Sequence, residues 1–383
     1  MKKLITISIV LCFLLPTSAQ KFKVTRDTIV MNPSWLTPDS PRCKVIRVVE
    51  YHNDYYCLCT IEIPSDPHYS GFAHVEPFER DDYCYVLRIN LKDKSRRIIS
   101  YPHRLEYGRQ QYPVELFVRR DSLICKWEES YQRDRYEMMD SDLTEEAYDC
   151  CLDPKTGGWI KTKLANDDIY EDRRWLITNA DVISYASGYY SIYTDKRTGK
   201  QHYFSGIPYR VIRKGNSFYW ISYNKLSVIS NPSDSIVYTG DMYKDLENHI
   251  RIPSSEAKEL TRINDAPKFP LSHPLTEDER RYGYMTMMLT GFFVKDQLYL
   301  VMDSPDTGVY IAAYRDNRLE KVLDLGFRYH PFSNPAMRIS ENFIPNNQAN
   351  WLFADYDTRN IIYLSIKGTK IKVTYFINND NPT

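Results

Sequence analysis

Short apolar stretches alternate with tight polar turns along most of this chain. Residues 117–124, 211–220 and 292–300 carry the pattern most clearly, each with an apolar stretch, a short polar turn and a second apolar stretch rich in aromatic residues. Apolar runs of this length, bounded by turn-forming residues, are typical of β-strands joined in hairpins. The pattern returns about six times, so it predicts an all-β protein built from one repeated unit.

The predicted hairpins group into six units of four antiparallel strands. The expected strands of the first three units are 44–51, 55–63, 83–91 and 97–101 (unit 1); 114–119, 123–128, 147–152 and 159–164 (unit 2); and 175–178, 182–186, 189–193 and 202–205 (unit 3). Those of the last three are 209–213, 218–223, 226–230 and 236–239 (unit 4); 287–294, 298–303, 309–314 and 321–325 (unit 5); and 337–343, 351–356, 361–366 and 370–376 (unit 6). A turn of the form Asp-x-x-Thr-Gly precedes the last strand twice, from Asp153 and from Asp195. Asp and Gly suit the backbone of such turns, so we interpret them as structural.

Units of strand, turn, strand and Asp-x-x-Thr-Gly turn resemble the blades of β-propellers, the class that includes quinoprotein-like and YWTD-like repeats. The resemblance covers most of residues 43–376 and points to no particular family, since a regular WD dipeptide, an Asp-box and a kelch di-glycine are missing. It implies one propeller of six four-stranded blades, with seven blades as the alternative. We expect residues 21–31 to add an outer strand to the last unit and close the ring, which would protect a sheet edge.

Residues 241–284 interrupt the repeat between the fourth and fifth units. Residues 254–260 begin like a capped helix, and residues 276–281 resemble a second helical turn. Long insertions in compact domains are usually functional or disordered. We therefore expect a partly helical insertion that packs over one face of the ring.

The first nineteen residues have the composition of an export signal. Lys2 and Lys3 precede an apolar stretch at 4–15, and small residues up to Ala19 form a cleavage site. The apolar stretch is shorter than the ~20 residues that a spanning helix needs. We expect residues 1–19 to be removed and residues 20–383 to form a single propeller domain, periplasmic or secreted, without a transmembrane segment.

Composition narrows the choice of partners. The chain has 50 basic and 50 acidic residues, so it lacks the broad positive field of a nucleic-acid binder, and we expect no nucleic-acid partner. Its 32 tyrosines favour strands with one buried and one wet side. An exported chain can form disulfides, but the number of cysteines left after signal removal is odd, and their connectivity stays open. They are Cys43, Cys57, Cys59, Cys84, Cys125, Cys150 and Cys151.

Catalytic signatures such as G-x-S-x-G, H-E-x-x-H and the P-loop are missing from the sequence, and we expect neither a cofactor nor a metal. The leading hypothesis is an exported, non-catalytic binding module that recognises a glycan or a protein partner on one propeller face, because loops on a rigid scaffold commonly carry function. The alternative is a carbohydrate-active enzyme, a polysaccharide lyase or glycoside hydrolase, with its site on the insertion-decorated face. A third possibility is a structural or assembly protein.

Two sets of residues are candidates for these functions. A lyase needs a Tyr or His base and a cation for the substrate carboxylate, and a glycan binder needs rings that stack on sugars. The catalytic candidates are Tyr190, Tyr193, His202 and Arg210. The binding candidates are His68, His74, Trp127 and Trp220. A glycan binder should expose coplanar aromatic rings, whereas an enzyme should group carboxylates, or Tyr and His with Arg, in one pocket.

Overall fold

A computed structural model describes residues 21–31, 42–62, 83–100, 103–104, 109–119, 121–131, 148–153, 155–162, 168–180, 190–240, 244–245, 252–263, 286–304, 307–327, 344–354 and 360–378. Within these residues the strands form six separate sheets, which we number as blades in chain order. The strands are β1 (Lys23–Met31); β2 (Arg42–Tyr51), β3 (Asp54–Glu62), β4 (Tyr83–Asn90) and β5 (Arg96–Ser100) of blade 1; β6 (His103–Arg104), β7 (Arg109–Arg119), β8 (Ser122–Tyr131), β9 (Tyr148–Leu152) and β10 (Trp159–Thr162) of blade 2; β11 (Asp168–Glu171), β12 (Trp175–Ala180), β13 (Tyr190–Asp195) and β14 (Gln201–Ser205) of blade 3; β15 (Arg210–Lys214), β16 (Ser217–Ile221), β17 (Lys225–Ile229) and β18 (Lys258–Arg262) of blade 4; β19 (Met287–Val294), β20 (Gln297–Ser304), β21 (Gly308–Arg315) and β22 (Arg318–Asp324) of blade 5; β23 (Gln348–Ala354), β24 (Ile361–Lys367) and β25 (Lys370–Asn378) of blade 6.

Polar contacts between successive blades run round one face of the ring, next to the turns that follow the inner strands β2, β7, β11, β15 and β19. We call this face the hairpin face. The contacts, blade by blade, are His52 with Asp121 at 3.2 Å, Arg119 with Glu171 at 3.7 Å, Arg213 with Asp172, Lys214 with Asp296 at 3.0 Å, Phe293 N–H with Asn346 O at 2.7 Å, and Lys367 with Glu50 at 2.6 Å. The last contact joins blade 6 to blade 1, so the sheets form a closed six-bladed β-propeller, as the repeat predicted.

Strand β23 of blade 6 runs in the same direction as β16 and β20, the second strands of blades 4 and 5. Asn346, two residues before β23, donates to Arg213 O at 2.6 Å and accepts from Phe293 N–H. Arg213 and Phe293 lie near the ends of β15 and β19, so β23 begins at the face where those strands end. The turn between β24 and β25 consequently lies at the hairpin face.

The predicted closure by the N-terminal strand is confirmed. β1 pairs with β25 in parallel register, from Lys23 opposite Lys370 to Met31 opposite Asn378, whereas every other ladder in the described residues is antiparallel. Because β25 runs away from the hairpin face, a parallel β1 also ends at the far face, where β2 begins. Arg26 also connects β1 to blade 5, because its Nη2 donates a hydrogen bond to Leu325 O at 2.8 Å.

Blade 3 differs from its prediction. Its inner strand is β11, which the sequence analysis did not predict, and β12 is the second strand rather than the first. β11 is short and pairs through an irregular register next to Asp168. A short strand with two acidic residues lacks the apolar alternation that marks strands in sequence. The predicted strand 182–186 lies outside the described residues.

The outer strand of blade 4 is β18, not 236–239, so the helix predicted at 254–260 is wrong. The unpaired edge of β17 offers backbone hydrogen bonds to β18, and this tertiary pairing overrides the local capping pattern. Lys244 and Asp245 have helical backbone, and the predicted helix at 276–281 lies outside the described residues. The first strand predicted for blade 6, 337–343, also lies outside them.

The segment from β17 to β18 crosses to blade 3 before it returns. Val237 forms a bridge with His202, and Ser255 exchanges backbone hydrogen bonds with β14: its N–H donates to Tyr203 O at 2.8 Å, and its carbonyl accepts from Ser205 N–H at 3.0 Å. Ile252 is buried against Tyr203. The crossing segment therefore covers the outer edge of blade 3, where an exposed strand would invite pairing with another chain.

The core lies between blades. Cys57 and Cys59, two residues apart in β3, belong to one buried cluster of blades 1 and 6. In blade 2, Cys125 stands directly opposite Cys150 in the β8–β9 ladder, and both are buried. Among the described residues, no helix has the length and apolar character that a bilayer span requires.

Candidate functional site

The catalytic candidates are buried in and between blades 3 and 4. The side chain of Tyr193 is fully buried, its hydroxyl accepts the indole N–H of Trp220, and the two rings stack with centroids 6.3 Å apart. Burial raises the pKa of Tyr193, so this phenol stays protonated at neutral pH. Tyr190 packs with Tyr203 and Ile252 in a separate small cluster.

His202 and Arg210 face different surroundings. Nδ1 of His202 lies 3.1 Å from Ser235 Oγ, the ring packs edge-on to Trp175, and burial lowers its pKa. Arg210 Nη2 instead lies 3.3 Å from the carbonyl oxygens of Ile344 and Gln348, which belong to blade 6. The four catalytic candidates therefore do not converge on one cleft.

Of the four binding candidates, the two tryptophans are buried and the two histidines lie outside the described residues. Trp127 is 3% exposed between blades 1 and 2, and Trp220 is 4% exposed between blades 3 and 4. Buried indoles of this kind pack blades together. His68 and His74 lie outside the described residues, so any role for them in binding stays a prediction.

A basic cavity of about 310 Å³ opens between blades 6 and 1 at the hairpin face. Its lining comes from three neighbouring strands of blade 6 and from the end of β2. The lining residues are Lys23, Thr25, Glu50, Ser365, Lys367, Lys370, Ile371 and Lys372. We call this site the lysine cavity.

Strand register explains why these residues share one surface. Lys367, Lys370 and Lys23 stand directly opposite one another across β24, β25 and β1, and they form one row. Ser365, Lys372 and Thr25 form a second row two residues along the strands, on the same sheet face because side chains alternate with period two. The two rows present four ammonium groups and two hydroxyls together.

The tight turn between β24 and β25 sets the first row. Gly368 has φ 60°, which L-residues with side chains rarely adopt, and it allows a turn of two residues. This turn brings Lys367 and Lys370 directly opposite each other. Like charges in directly opposed positions destabilise a sheet, so the row imposes a cost on folding.

Glu50 compensates one of the four charges. Its carboxylate, mostly buried, accepts from Lys367 Nζ at 2.6 Å and from Ser365 Oγ at 3.3 Å. Lys23 and Lys370 are exposed and make no ion pair with any described residue. The lining thus holds four lysines and one glutamate, an excess of three positive groups.

Lys372 occupies the deeper part of the cavity. Its Nζ lies 3.8 Å from Asp27 and 5.0 Å from the centre of the Tyr55 ring. Burial lowers the pKa of Lys372, against the attraction of Asp27. Burial alone would raise the pKa of Asp27, but the hydrogen bond and charge of Lys94 outweigh it and hold that pKa below its usual value. Asp27 is therefore ionised and shared between two ammonium groups.

The chemistry of the lysine cavity fits an anion. Ammonium groups bind carboxylate, sulfate or phosphate oxygens as point charges. The hydroxyls of Ser365 and Thr25 add polarity to the lining, but each already donates its proton, to Glu50 at 3.3 Å and to Ile371 O at 3.3 Å. Its carboxylates, by contrast, are engaged by lysines. In the part of the chain that the structure describes, no group of three or more His, Cys, Asp or Glu side chains is placed to hold a metal ion.

Sequence reasoning missed this site because Lys23 and Glu50 are more than 300 residues away from Lys367, Lys370 and Lys372 in the chain. The spacing of lysines in the sequence could have indicated the site. Lys370 and Lys372 alternate in the last strand, Lys23 lies in the segment expected to pair with it, and Lys367 precedes the turn. The parallel register, which the sequence did not specify, is what aligns them.

Comparisons with known proteins give no family. No family model and no curated protein matches the chain. Among solved structures, it is similar to the β-propeller domain of the Trilobed protease from Pyrococcus furiosus (9% identity, 89% of this chain and 95% of that chain, TM-score 0.33), to a glycosyl hydrolase from Bacteroides ovatus (11%, 90% and 86%, 0.28) and to the GH43_1 enzyme from Xanthomonas citri (8%, 75% and 92%, 0.30). At these scores the assignment of the fold rests on the sheet topology itself.

Proposed function

We propose that this protein is an exported, non-catalytic binding module that recognises an anionic glycan at the lysine cavity. The observation that carries the proposal is the row of Lys367, Lys370 and Lys23, in which like charges oppose each other across three strands. Such a row costs stability in the free protein. A bound carboxylate or sulfate would remove that cost and gain charge-assisted hydrogen bonds.

Two further points favour a glycan among anionic ligands. The chain as a whole has no net charge, so the positive field is confined to the cavity and does not favour the long phosphate backbone of a nucleic acid. The expected export of the mature chain would bring it to periplasmic or extracellular polysaccharides, many of which carry uronate or sulfate groups.

The test is a binding titration of the mature protein, residues 20–383, against polygalacturonate, heparin and the neutral polymers xylan and mannan. We expect the acidic polymers to bind and the neutral ones not to compete for the cavity, with affinity falling as salt rises. Lys370→Gln and Lys23→Gln should each weaken binding. Lys258→Gln, an exposed lysine on the outer strand β18, is the matched control.

The proposal fails if Lys370→Gln and Lys23→Gln bind acidic polymers as tightly as the parent and the control. It also fails if the acidic polymers do not bind at low salt, where charge interactions are strongest. Secretion is tested separately by sequencing the N-terminus of the exported protein, which should begin near Gln20.

A polysaccharide lyase is the second candidate, and Lys372 is the observation that favours it. Lyases need a base near cations that neutralise the substrate carboxylate. Lys372 lies in the cavity with three other lysines, and burial lowers its pKa. Incubation with polygalacturonate would then raise ultraviolet absorbance from unsaturated products, and Lys372→Gln would abolish the rise. The binding module predicts retention of the polymer without any such absorbance.

A further inference from the structure

Blade 4 exposes two tyrosines on the face opposite the hairpin face. Tyr209 immediately precedes β15, and Tyr223 lies in the turn between β16 and β17, so both stand at the far ends of the blade. They are 38% and 41% exposed, and their ring centroids are 6.4 Å apart with the planes tilted by 40°. We call them the tyrosine pair.

The backbone holds the tyrosine pair in place. The N–H of Tyr209 donates to Ile221 O at 2.8 Å, and the carbonyl of Tyr223 accepts from Met288 N–H at 2.7 Å, which ties the turn to blade 5. The turn itself closes through Ser222 N–H to Lys225 O at 2.9 Å. Two rings that are exposed on a fixed backbone lose little conformational entropy when a ligand stacks on them.

A charged pair lies beside Tyr223. The N–H of Ile263 donates to Asn224 O at 2.8 Å, so the end of β18 meets this turn. Arg262 is bidentate to Glu259, with Nη2 2.6 Å and Nε 3.2 Å from the carboxylate. Both side chains are about half exposed, so their outer edges remain available to a ligand.

We infer that the tyrosine pair and the Arg262–Glu259 pair form a second binding site, for an uncharged sugar ring. A pyranose has apolar faces that stack on aromatic rings and hydroxyls that hydrogen-bond planar guanidinium and carboxylate groups. The tilt of 40° suits one stacked ring and one ring that contacts the sugar edge, rather than the coplanar platform expected from the sequence. Two rings offer less than the several hundred Å² of apolar patch typical of a protein interface.

The site differs from the lysine cavity in position and in chemistry. It lies on the other face of the ring, and its charged groups neutralise each other through the Arg262–Glu259 pair. Its affinity should therefore change little with salt, because stacking on aromatic rings is not a charge interaction. This contrast lets the two sites be tested independently.

The test is a titration of the mature protein with hexasaccharides derived from xylan, cellulose, mannan and starch. Binding is measured by calorimetry and by saturation-transfer NMR. We expect at least one to bind, Tyr209→Ala and Tyr223→Ala to weaken it about tenfold, which corresponds to ~1.4 kcal/mol, and Tyr223→Phe to retain it. Val322→Ala, which truncates an exposed side chain on blade 5, is the control for surface changes.

Lys370→Gln should leave this binding unchanged, which separates it from the proposed function at the lysine cavity. Circular dichroism should show that both alanine variants remain folded, so that a loss of binding is not a loss of the fold. The inference is overturned if no hexasaccharide binds, or if binding survives both alanine variants.

Discussion

Neutralising Lys370 should weaken ligand binding and stabilise the free protein at the same time. Lys370 stands between Lys367 and Lys23 in the lysine row. Lys367 is already compensated by Glu50 at 2.6 Å, so most of the relief comes from removing the repulsion with Lys23. A like-charge pair directly opposed across strands costs a few tenths of a kcal/mol to about 1 kcal/mol.

Lys370→Gln should therefore raise the free energy of unfolding by about 0.3–1 kcal/mol at low salt. For a domain of this size the midpoint of thermal unfolding would rise by roughly 0.4–1.3 °C. The gain should disappear near 1 M salt, where the Debye length is ~3 Å and the lysines no longer repel each other. An ordinary structural lysine would show the opposite sign, because its removal would lose packing of the side-chain stem.

Urea titrations and calorimetry at low and high salt measure this directly, with Lys258→Gln as control. Lys258 is also exposed on a strand of the propeller, but it faces Val228 across the ladder rather than another lysine. Lower stability of Lys370→Gln than of the parent at low salt would refute charge repulsion in the lysine row. A gain of the same size at ~1 M salt would also refute it, since charge repulsion would then not be the cause.

Three further outcomes follow from the structure. Tyr193→Phe removes the acceptor of the buried Trp220 N–H and should cost about 1–3 kcal/mol in urea unfolding, whereas the same change at the exposed Tyr223 should cost little. Burial alone would raise the pKa of Asp172, but hydrogen bonds from backbone N–H groups and from Arg213 hold that pKa below its usual 3.8. The carboxylate therefore stabilises the fold above pH 3.8, and this stabilisation is lost as pH falls through the lower folded pKa. In that pH range the free energy of unfolding of Asp172→Asn should depend less on pH than that of the parent. Deletion of 241–284, which would spare the fold if the segment were an independent insertion, should instead lower thermal stability and expose the β17 edge to aggregation, because it removes β18.

Strand positions were predictable where each strand carries its own apolar pattern. Blade 5 was predicted within a few residues throughout, since its first three strands are apolar and short turns at Lys295–Asp296 and Asp316–Asn317 mark its strand ends. Blade 4 failed at its outer strand because Lys258–Arg262 is polar, and its strand character comes from pairing with β17. Local propensity carries little information about an outer strand that buries almost nothing.

Candidate residues failed for a related reason. Tyr193, His202 and Trp220 are chemically capable side chains, and sequence alone gives no depth below the surface. The structure buries all three. The lysines of the cavity looked ordinary in sequence, because surface lysines are common and only their alignment in three dimensions makes a site.

By itself the sequence determined the class of fold: apolar and polar positions repeat with the spacing of hairpins, and burying one face of each hairpin against the next produces blades. It also identified the N-terminal segment as the strand that closes the ring. Only the tertiary structure decided the parallel register of β1 with β25 and the pairing of β18 with β17. These depend on backbone hydrogen bonds between residues far apart in the chain, and such bonds are nearly indifferent to side-chain identity. The lysine cavity and the tyrosine pair are products of that register and of turn geometry.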